Sequence, residues 1–491
     1  MRRLRIDPNS SGRALRLRTY VLAGRMDRQL WDDARMTVID QIRVRRSDVL
    51  LGAIAAAVAL IAGILVTMTG NRLLLAVAAL VIVAILFPRL RLWITLAGAT
   101  IPLSGSIGVR GGGVFIAACD VFAMVALASF LLIRKNHPPL PEGEVSSLRG
   151  LLLRPVKPGL ILLGVYVATA ALNAYLVNPQ MGTWVTIAQR AELIGVWMLL
   201  GVCAYMSKTM HLALGGFVAA AALQAAVWIT TPGVKGVLGA QKNPSGGFIA
   251  AAILIVLLAS IPNRYRVPLL ILLTGGLIAT GSRGSIIGLA AALVVLLFFV
   301  RQWGRVILPL VAITTAGYFA IQILPDAVTD RLFSETSSGV YNANIRDVFV
   351  RDAMYQFNNA PWSGVGVGNY EQITRALSRV ETHDPHNVFV LALVEGGYPL
   401  GIAFALLVGG TLIWLLRKPK TSLVVLALVV QISTLVHAYV DVYWVRGTPV
   451  AGWMLIGAAA ASAYQWNRGR SAVAQENFQE EPSGSIASAR R

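Results

Sequence analysis

Apolar runs long enough to cross a bilayer recur along most of this 491-residue chain. Each run has roughly 17 to 25 residues, which is the length that an α-helix needs to span about 30 Å of hydrocarbon. Hydrophobic residues make up 56% of the chain and charged residues only 13%, whereas an ordinary soluble domain is about 25% charged. The sequence therefore predicts an all-α fold, a polytopic bundle of about 12 to 14 membrane spans.

About fourteen spans fit the hydropathy pattern best, and twelve or thirteen fit nearly as well. Their centres lie near residues 59, 80, 99, 122, 168, 195, 220, 254, 274, 291, 315, 404, 431 and 457. The third span (residues 92–107) and the ninth (residues 267–281) have the weakest signal. The spans divide the chain into a basic N-terminal tail (1–48), eleven membrane helices (49–325), a long loop (326–385), three more membrane helices (386–466) and a polar tail (467–491) that is predicted to be disordered.

Positive charge alternates from one connection to the next. The N-terminal tail is basic, and so are the connections at residues 88–91, 134–158, 207–208, 264–266, 301–305 and 417–420. The alternate short connections carry at most two positive charges each, which is the positive-inside pattern. It predicts cytoplasmic termini and an extracytoplasmic long loop. The net charge of +20 therefore indicates contact with anionic membrane lipids, and we expect no nucleic acid partner.

The long loop is predicted to carry structure of its own. Two amphipathic helical patterns occur in it at three- to four-residue spacing. They run through Ile345, Val348, Phe349, Ala353 and Phe357, and then through Ile373, Leu377 and Val380. Between them, residues 361–370 form a glycine-rich turn. The loop offers too little apolar surface for its own core, so we expect a functional loop and no independent domain.

His386 is the strongest candidate for acid–base chemistry. Asp384 is predicted to cap the following apolar helix and Pro385 to occupy its first turn. His386 would then lie at the positive end of the helix dipole, which favours a neutral ring that can accept a proton. His383 is a rival without that fixed geometry. The alternative is a histidine that is merely solvated at the membrane surface.

Arg190 is predicted to lie inside the sixth span, one to two turns from its outer end. An arginine there is costly unless it snorkels, pairs or binds a ligand, so a functional role is the first hypothesis. Glu192 lies two residues further on and points to another side of the helix. The alternative is an arginine that snorkels to the interface.

Arg283 follows Gly281 and Ser282 at a predicted outer connection and precedes Gly284 and Ser285. These small residues leave backbone N–H groups free at a helix start, which favours an anion beside the arginine. An arginine at a helix end is also an ordinary structural feature. A functional role for Arg283 is therefore expected only because of the other candidate residues on the same side.

Other charged or polar residues on the predicted outer side are candidates for the same site. Lys242, Asn243, Arg346 and Arg351 would help to bind a phosphate group, although solvated loop charges are the commoner case. Asp441 and Glu395 could each pair with a site arginine or orient the histidine, and solvation at a helix end is the alternative. Cys119 and Cys203 lie in apolar runs and predict neither a disulfide framework nor a zinc site.

The chain resembles the O-antigen ligase and Wzy-type polymerase superfamily of bacterial envelope glycan assembly. The resemblance rests on Ser282-Arg283-Gly284, on the turn at residues 361–370, and on His386-Asn387 followed by Gly396-Gly397. The order of these motifs and the long loop before the histidine also match. Leu400 departs from the family, which has a small residue or a tyrosine near that place; this bears on the ligase subtype.

The resemblance implies a glycosyltransferase in the bacterial plasma membrane that needs no metal or cofactor. Its donor would be a glycan on undecaprenyl diphosphate, and its acceptor a hydroxyl of a glycan or glycolipid. In such enzymes arginines grip the diphosphate and the histidine assists attack by the acceptor. Arg283 and His386 match the family motif directly, whereas Arg190 matches by position only.

Two other classes of function stay open at this point. A transporter or flippase for lipid-linked glycans would place its charges near the midplane, in broken helices, whereas the charges here are predicted to cluster at the outer surface. A non-catalytic scaffold would leave Arg190 unexplained. Whether the enzyme is a ligase or a polymerase is equally open.

Overall fold

The computed structural model describes residues 86–105, 107–111, 114–133, 148–231, 236–237, 240–299, 337–370, 373, 385–441 and 448–479. The predicted spans centred near residues 59, 80 and 315 lie outside these ranges, as do the N-terminal tail, His383 and Asp384. Leu377 and Val380, from the second amphipathic pattern, lie outside them as well.

Within the described ranges the fold consists of twelve α-helices and one short β-hairpin. The helices are α1 (Leu90–Thr100), α2 (Ala118–Leu132), α3 (Leu148–Val177), α4 (Met181–Met206), α5 (Met210–Thr230), α6 (Lys242–Leu258), α7 (Asn263–Thr280), α8 (Arg283–Phe299), α9 (Ser337–Asn359), α10 (Val388–Leu416), α11 (Ser422–Val440) and α12 (Val450–Gln479). A 3₁₀ turn, Ile101–Leu103, extends α1. Strands β1 (Gly108–Gly111) and β2 (Val114–Ala117) pair antiparallel between α1 and α2.

The helices confirm the all-α, polytopic prediction. Every predicted span that falls in the described ranges contains a helix, although the third one, predicted for residues 92–107, is helical only as far as Leu103. Five helices are long and apolar enough to cross a membrane: α3, α4, α5, α10 and α11. Helices α1, α2, α6 and α8 are shorter and also apolar. The end of α12 differs from the prediction, because the helix continues to Gln479 through residues that were expected to be disordered. Ala, Gln and Glu are frequent there, and these residues favour helix.

Small residues let the membrane helices approach closely. A side chain at Gly201 on α4 would overlap the carbonyl of Met454 on α12, and one at Gly457 would overlap the carbonyl of Met198 in the reciprocal direction. A Cβ on Gly288 of α8 would lie 2.5 Å from the carbonyl oxygen of Ser433 on α11. Lipid tails are as apolar as leucine, so such backbone contacts supply much of the association energy between membrane helices.

The first amphipathic pattern of the long loop forms α9, as predicted. Its Ala353 and Phe357 form a small buried cluster with Tyr370 and with Val394 of α10. The loop therefore shares a core with the membrane bundle, which agrees with the expectation that it has too little apolar surface to fold alone.

One end of the bundle collects the predicted site residues, and we call it the site end. Lys242 and Arg283 are the first residues of two 17-residue helices, and Asp441 follows a 19-residue helix. Arg190 lies 16 residues before the last residue of α4. At 1.5 Å per residue these positions lie about 24 to 28 Å from the opposite helix ends, a distance comparable with the hydrocarbon thickness of about 30 Å.

The depth predicted for Arg190 within its helix is wrong. Helix α4 begins at Met181, nine residues earlier, so Arg190 lies about two and a half turns from the start. Because 26 residues make α4 longer than a bilayer requires, the first turns of the helix extend past the level of the other site residues.

Candidate functional site

Helix α10 folds back on itself at Gly396 and Gly397. A Cβ on Gly401 would lie 3.7 Å from the Cα of Leu393, although eight residues of straight helix span about 12 Å. The rings of Phe389 and Phe404 likewise lie 5.5 Å apart across fifteen residues of sequence. Residues 388–395 therefore form a half-helix that packs against the first turns of the half formed by residues 398–416.

Glycine is required at the second position of this break. Gly397 has φ 65° and ψ −165°, a combination that is essentially restricted to glycine. A Cβ there would also lie 2.5 Å from the carbonyl carbon of Trp362. The backbone conformation and the close approach of the loop thus both exclude a side chain.

The glycine-rich turn at residues 361–370 fills the break. Val365 and Gly366 donate backbone N–H groups to the carbonyls of Val394 and Glu395 at 2.9 and 2.8 Å. Helix breaks at membrane depth need such partners, since freed backbone groups find no water in hydrocarbon. The long loop is therefore hydrogen-bonded into the bundle.

Asn173 on α3 holds the same turn from the other side. Its Nδ2 donates to the carbonyl of Ser363 at 2.5 Å, and its Oδ1 accepts from the N–H of Val367 at 3.2 Å. Asn173 was not among the residues predicted from the sequence. It could have been recognised as a polar amide inside an otherwise apolar span, because polar side chains in such spans are usually functional or hydrogen-bonded, and the structure buries this one.

Arg190 forms an ion pair with Glu395, the last residue before the break. Two hydrogen bonds join them, Nη1 to Oε2 at 2.6 Å and Nη2 to Oε1 at 2.9 Å. Oε1 also accepts from the N–H of Gly368 at 2.9 Å. The expectation that Glu395 pairs with a site arginine is confirmed. A quarter of the Arg190 side chain is exposed, so it keeps some access to a ligand.

The predicted cap of the histidine helix is wrong. Helix α10 begins at Val388, and its N-cap is Asn387, whose Oδ1 accepts from the N–H groups of Phe389 and Val390 at 3.0 and 3.2 Å. Asn and Asp cap about equally well, and the residue directly before the first turn occupies the position. Pro385 and His386 therefore both precede the helix.

His386 adopts a left-handed backbone conformation with φ 54°. A non-glycine residue in this region is uncommon, and strain of this kind persists where the surroundings fix the residue. The imidazole of His386 stacks on Phe349 of α9, with ring centroids 6.0 Å apart and an interplanar angle of 5°. The loop helix thus positions one face of the ring.

Asp441 is the centre of the polar cluster at the site end. Its Oδ1 lies 3.2 Å from Nδ1 of His386 and accepts from Nδ2 of Asn243 at 2.8 Å. Its Oδ2 accepts from Nη2 of Arg346 at 2.9 Å. Both roles considered for Asp441, pairing with an arginine and contacting the histidine, are present in the structure.

The carboxyl of Asp441 is ionised although it is only 2% exposed. Burial raises its pKa, but the hydrogen bond to His386 and the positive charge of Arg346 outweigh burial, so the pKa lies below its usual value. An ionised carboxylate offers only acceptors, and the nitrogens of Asn243, Arg346 and His386 lie at hydrogen-bonding distance from its oxygens.

Helix α8 contributes Arg283 beside this cluster. A Cβ on Gly284 would lie 2.6 Å from Cδ2 of His437 and 3.2 Å from Cβ of Asp441, so the first turn of α8 packs against these two side chains. Arg283 precedes that glycine and is exposed. The structure therefore places the predicted arginine beside a turn that contacts Asp441, and Asp441 in turn contacts the predicted histidine.

The remaining candidates separate into two groups. Asn243 and Arg346 contact Asp441 directly, and half-buried Lys242 precedes Asn243 at the start of α6. Arg351, by contrast, pairs with Asp347 on an exposed face of α9. Five residues along a helix correspond to a rotation of about 140°, so Arg346 and Arg351 point in different directions, and the structure does not bring Arg351 to the cluster.

Among the described residues, no group of three or more His, Cys, Asp and Glu side chains has the spacing of a metal site. The chemical groups that converge at the site end are instead guanidinium, ammonium, amide, imidazole and carboxylate. Such a set can bind an anion and transfer a proton.

Part of the chain is similar to a known protein family. Residues 268–405 match the family model described as O-antigen ligase. These residues belong to the O-antigen ligase family. The chain is therefore a multi-pass membrane protein that contains a region similar to the O-antigen ligase family. No curated protein matches the chain.

The O-antigen ligase region contains part of the polar cluster. It includes Arg283, Arg346, His386 and Glu395. Arg190 of α4 and Asp441 at the end of α11 contact residues of this set but lie outside the matched region. Asn243 at the start of α6, which contacts Asp441, lies outside it as well. The polar cluster is therefore built partly from the matched region and partly from helices outside it.

Proposed function

We propose that the protein moves a glycan from an undecaprenyl-diphosphate donor to an acceptor hydroxyl at the outer face of the bacterial plasma membrane. The observation that carries this proposal is the contact of His386 with Asp441 beside Arg346 and Arg283. His386, Arg346 and Arg283 lie within the region that matches the O-antigen ligase family. The cluster combines a proton acceptor with an anion site, and glycan transfer from a diphosphate requires both.

Positive charge at the site end supports a diphosphate donor. Arg283, Arg346 and Lys242 lie at or beside the cluster, and Arg190 is a quarter exposed. The acids in contact with Arg190, Arg346 and His386 are Glu395 and Asp441, which are buried and already bonded to nitrogen donors. Cations placed where charge develops on a leaving group lower the barrier without any rearrangement during the reaction.

The chemical step is a displacement at the anomeric carbon of the donor sugar. The acceptor hydroxyl oxygen forms a bond to that carbon as the bond between the carbon and the phosphate oxygen breaks. The electron pair of the broken bond leaves on undecaprenyl diphosphate, whose charge the cations stabilise. Nε2 of His386 takes the hydroxyl proton, and general-base help of this kind contributes roughly 10²- to 10⁴-fold.

The outer-face location follows from charge in the connections. Basic connections alternate with weakly charged ones, which favours cytoplasmic termini and an extracytoplasmic site end. Arg190, Lys242, Arg283 and Asp441 lie about 24 to 28 Å from the opposite helix ends, close to one surface of a bilayer of about 30 Å. A donor with its lipid tail in that leaflet would present its diphosphate there.

A lipid-linked glycan transporter remains the second candidate, because α10 is broken and broken helices are common in transporters. Transporter sites lie near the midplane, however, whereas the polar cluster lies near one end of the helices. Enzyme activity is therefore favoured. The acceptor distinguishes a ligase, which uses a glycolipid, from a polymerase, which extends a glycan.

Glycan transfer by the purified protein tests the proposal. The assay supplies a glycan on undecaprenyl diphosphate with candidate acceptors and compares wild type, His386→Ala and Arg283→Ala. Arg264→Ala, at the opposite end of the bundle, is the matched control and should behave as wild type. Transfer by both site variants at the wild-type rate would overturn the site. If wild type moved the donor between leaflets without any transfer, the transporter would replace the enzyme.

A further inference from the structure

We infer that Asp441 is the positioning residue of the reaction, which holds His386 with Nε2 directed at the acceptor hydroxyl. The inference rests on the proposed function and goes beyond the matched family region, which ends 36 residues before Asp441. It concerns how the base is oriented and not whether His386 is the base.

The contact between the two side chains determines the tautomer of the histidine. Oδ1 of Asp441 faces Nδ1 of His386 at 3.2 Å. Because the carboxylate is ionised and can only accept, the hydrogen of the neutral ring must lie on Nδ1. Nε2 is then left without a hydrogen and becomes the proton acceptor. A carboxylate behind a histidine has this orienting role in other acyl- and group-transfer sites.

Asp441 is itself held in place by its neighbours, so it can orient the imidazole of His386. Its N–H donates to the carbonyl of His437 at 2.9 Å, which ends α11. Asn243 and Arg346 occupy further lone pairs of the carboxylate at 2.8 and 2.9 Å. Gly284 packs against its Cβ. Contacts from α6, α8 and α9 therefore leave the carboxylate one orientation.

The imidazole of His386 is restrained on two sides. Asp441 fixes it at Nδ1, and Phe349 covers one face in a nearly parallel stack. The side chain is 16% exposed, so part of the ring remains accessible. A base that is held within a narrow range of orientations is what proton transfer to a bound hydroxyl requires.

A different role for Asp441 would be to dock the loop helix through Arg346 alone. In that case Arg346→Ala would reproduce Asp441→Asn, and the effect would fall on donor binding. An orienting role predicts a different pattern, because the contact with the histidine uses the other oxygen of the carboxylate. The two roles are therefore separable by kinetics.

The experiment measures kcat and donor KM for Asp441→Asn, Asp441→Glu, Arg346→Ala and His386→Ala in the glycan transfer assay. Asparagine can present its amide N–H₂ to Nδ1 and favour the wrong tautomer, so we expect Asp441→Asn to lower kcat at least about tenfold, within the range of general-base contributions. Donor KM should change less than kcat. Asp441→Glu keeps an acceptor and should recover part of the rate.

A double variant gives the sharper readout. If Asp441 acts through His386, then Asp441→Asn causes no further loss of kcat when it is added to His386→Ala. Glu192→Gln, which changes a partly buried carboxylate on α4 to an amide of the same shape, is the matched control. Folding is checked for each variant by thermal unfolding in detergent.

Each outcome decides a separate question. Wild-type kcat in Asp441→Asn, together with a reduced kcat in His386→Ala, would overturn the orienting role and leave the proposed function intact. Additive losses in the double variant would also overturn it. Wild-type transfer by His386→Ala would overturn the proposed site itself. The inference is supported if Asp441→Asn lowers kcat more than it changes donor KM in the wild-type protein, and if it causes no further loss of kcat in the His386→Ala protein.

Discussion

Arg190 on α4 and Glu395 on α10 meet in a two-bond ion pair across 205 residues of sequence. Glu395 is the last residue before α10 folds back, and the same carboxylate accepts from Gly368 of the long loop. One side chain therefore connects a membrane helix, the helix break and the glycine-rich turn. The position of the loop at the site end depends on this pair.

Truncation of Glu395 should destabilise the fold. Glu395→Ala leaves the guanidinium of Arg190 without its carboxylate, and breaking a buried pair costs roughly 3 to 5 kcal/mol. Because Arg190 is a quarter exposed, we expect about 3 kcal/mol, at the lower end. Thermal unfolding in detergent measures the change. The double variant Arg190→Met with Glu395→Met should lose less than Glu395→Ala alone, since no unpaired charge remains; a larger loss would contradict this account.

A side chain at Gly397 should disturb the fold-back of α10. Gly397→Ala forces an alanine into a glycine-only backbone region, which costs of order 1 to 3 kcal/mol, and its Cβ would overlap the backbone of Trp362. Gly409→Ala on the same helix is the control, because no atom lies within 4 Å of a Cβ there. Lower melting temperature and transfer are expected only for Gly397→Ala. Equal behaviour of the two variants would show that the break tolerates a side chain.

Much of the fold was predictable because span length is set by bilayer thickness. The apolar runs identified the helices of the described ranges, and three-to-four spacing identified α9 in the long loop. His386 and Arg283 could be selected because they are polar groups at the ends of apolar segments. Each of these signals is local, so it can be read within a window of about twenty residues.

The contacts that assemble the site were not predictable from local signals. Nothing near Arg190 indicates Glu395 as its partner, and Gly396-Gly397 fits a flexible helix as well as one that folds back. Asp384 and Asn387 are both good capping residues, so the start of α10 was misplaced. The selection of Asn387 depends on where the half-helix packs, which is a tertiary property.

A methyl group at Gly284 should lower activity by displacing the polar cluster around Asp441. In Gly284→Ala the new Cβ would lie 2.6 Å from the ring of His437 and 3.2 Å from Cβ of Asp441, so α8 and α11 must separate locally. We expect overpacking to destabilise the fold by about 1 to 3 kcal/mol. Gly284→Ala should also lower kcat more than Gly288→Ala does, since Gly288 lies one turn deeper in the same interface. Transfer assays on both variants, matched to their melting temperatures, check this. The same kcat in both would show that Asp441 tolerates the shift.

Acid should remove the stabilising effect of Asp441. Its pKa in the folded protein lies below the usual 3.8, so the folded state favours the ionised form. The stabilisation is complete above the usual value and is lost as pH falls through the lower, folded value. The difference in melting temperature between wild type and Asp441→Asn should therefore stay constant from pH 8 to about 5 and shrink below about pH 4. A difference that grows on acidification would contradict the assignment.

Arg346 and Arg351 provide a matched test on one helix. Arg346 bonds to Asp441 and is 34% exposed, whereas Arg351 is 72% exposed and pairs with Asp347. Arg346→Ala removes a cation from the anion site and a hydrogen-bond donor from the carboxylate of Asp441. We therefore expect donor KM to rise several-fold, which corresponds to the loss of about 1 kcal/mol or more that a charged hydrogen bond contributes. Arg351→Ala should have a smaller effect, because its ion pair is exposed and such pairs contribute about 0 to 1 kcal/mol. Donor titrations of both variants measure the difference. An equal rise of KM in the two variants would mean that the donor contacts both faces of α9, and that the anion site extends beyond the cluster around Asp441.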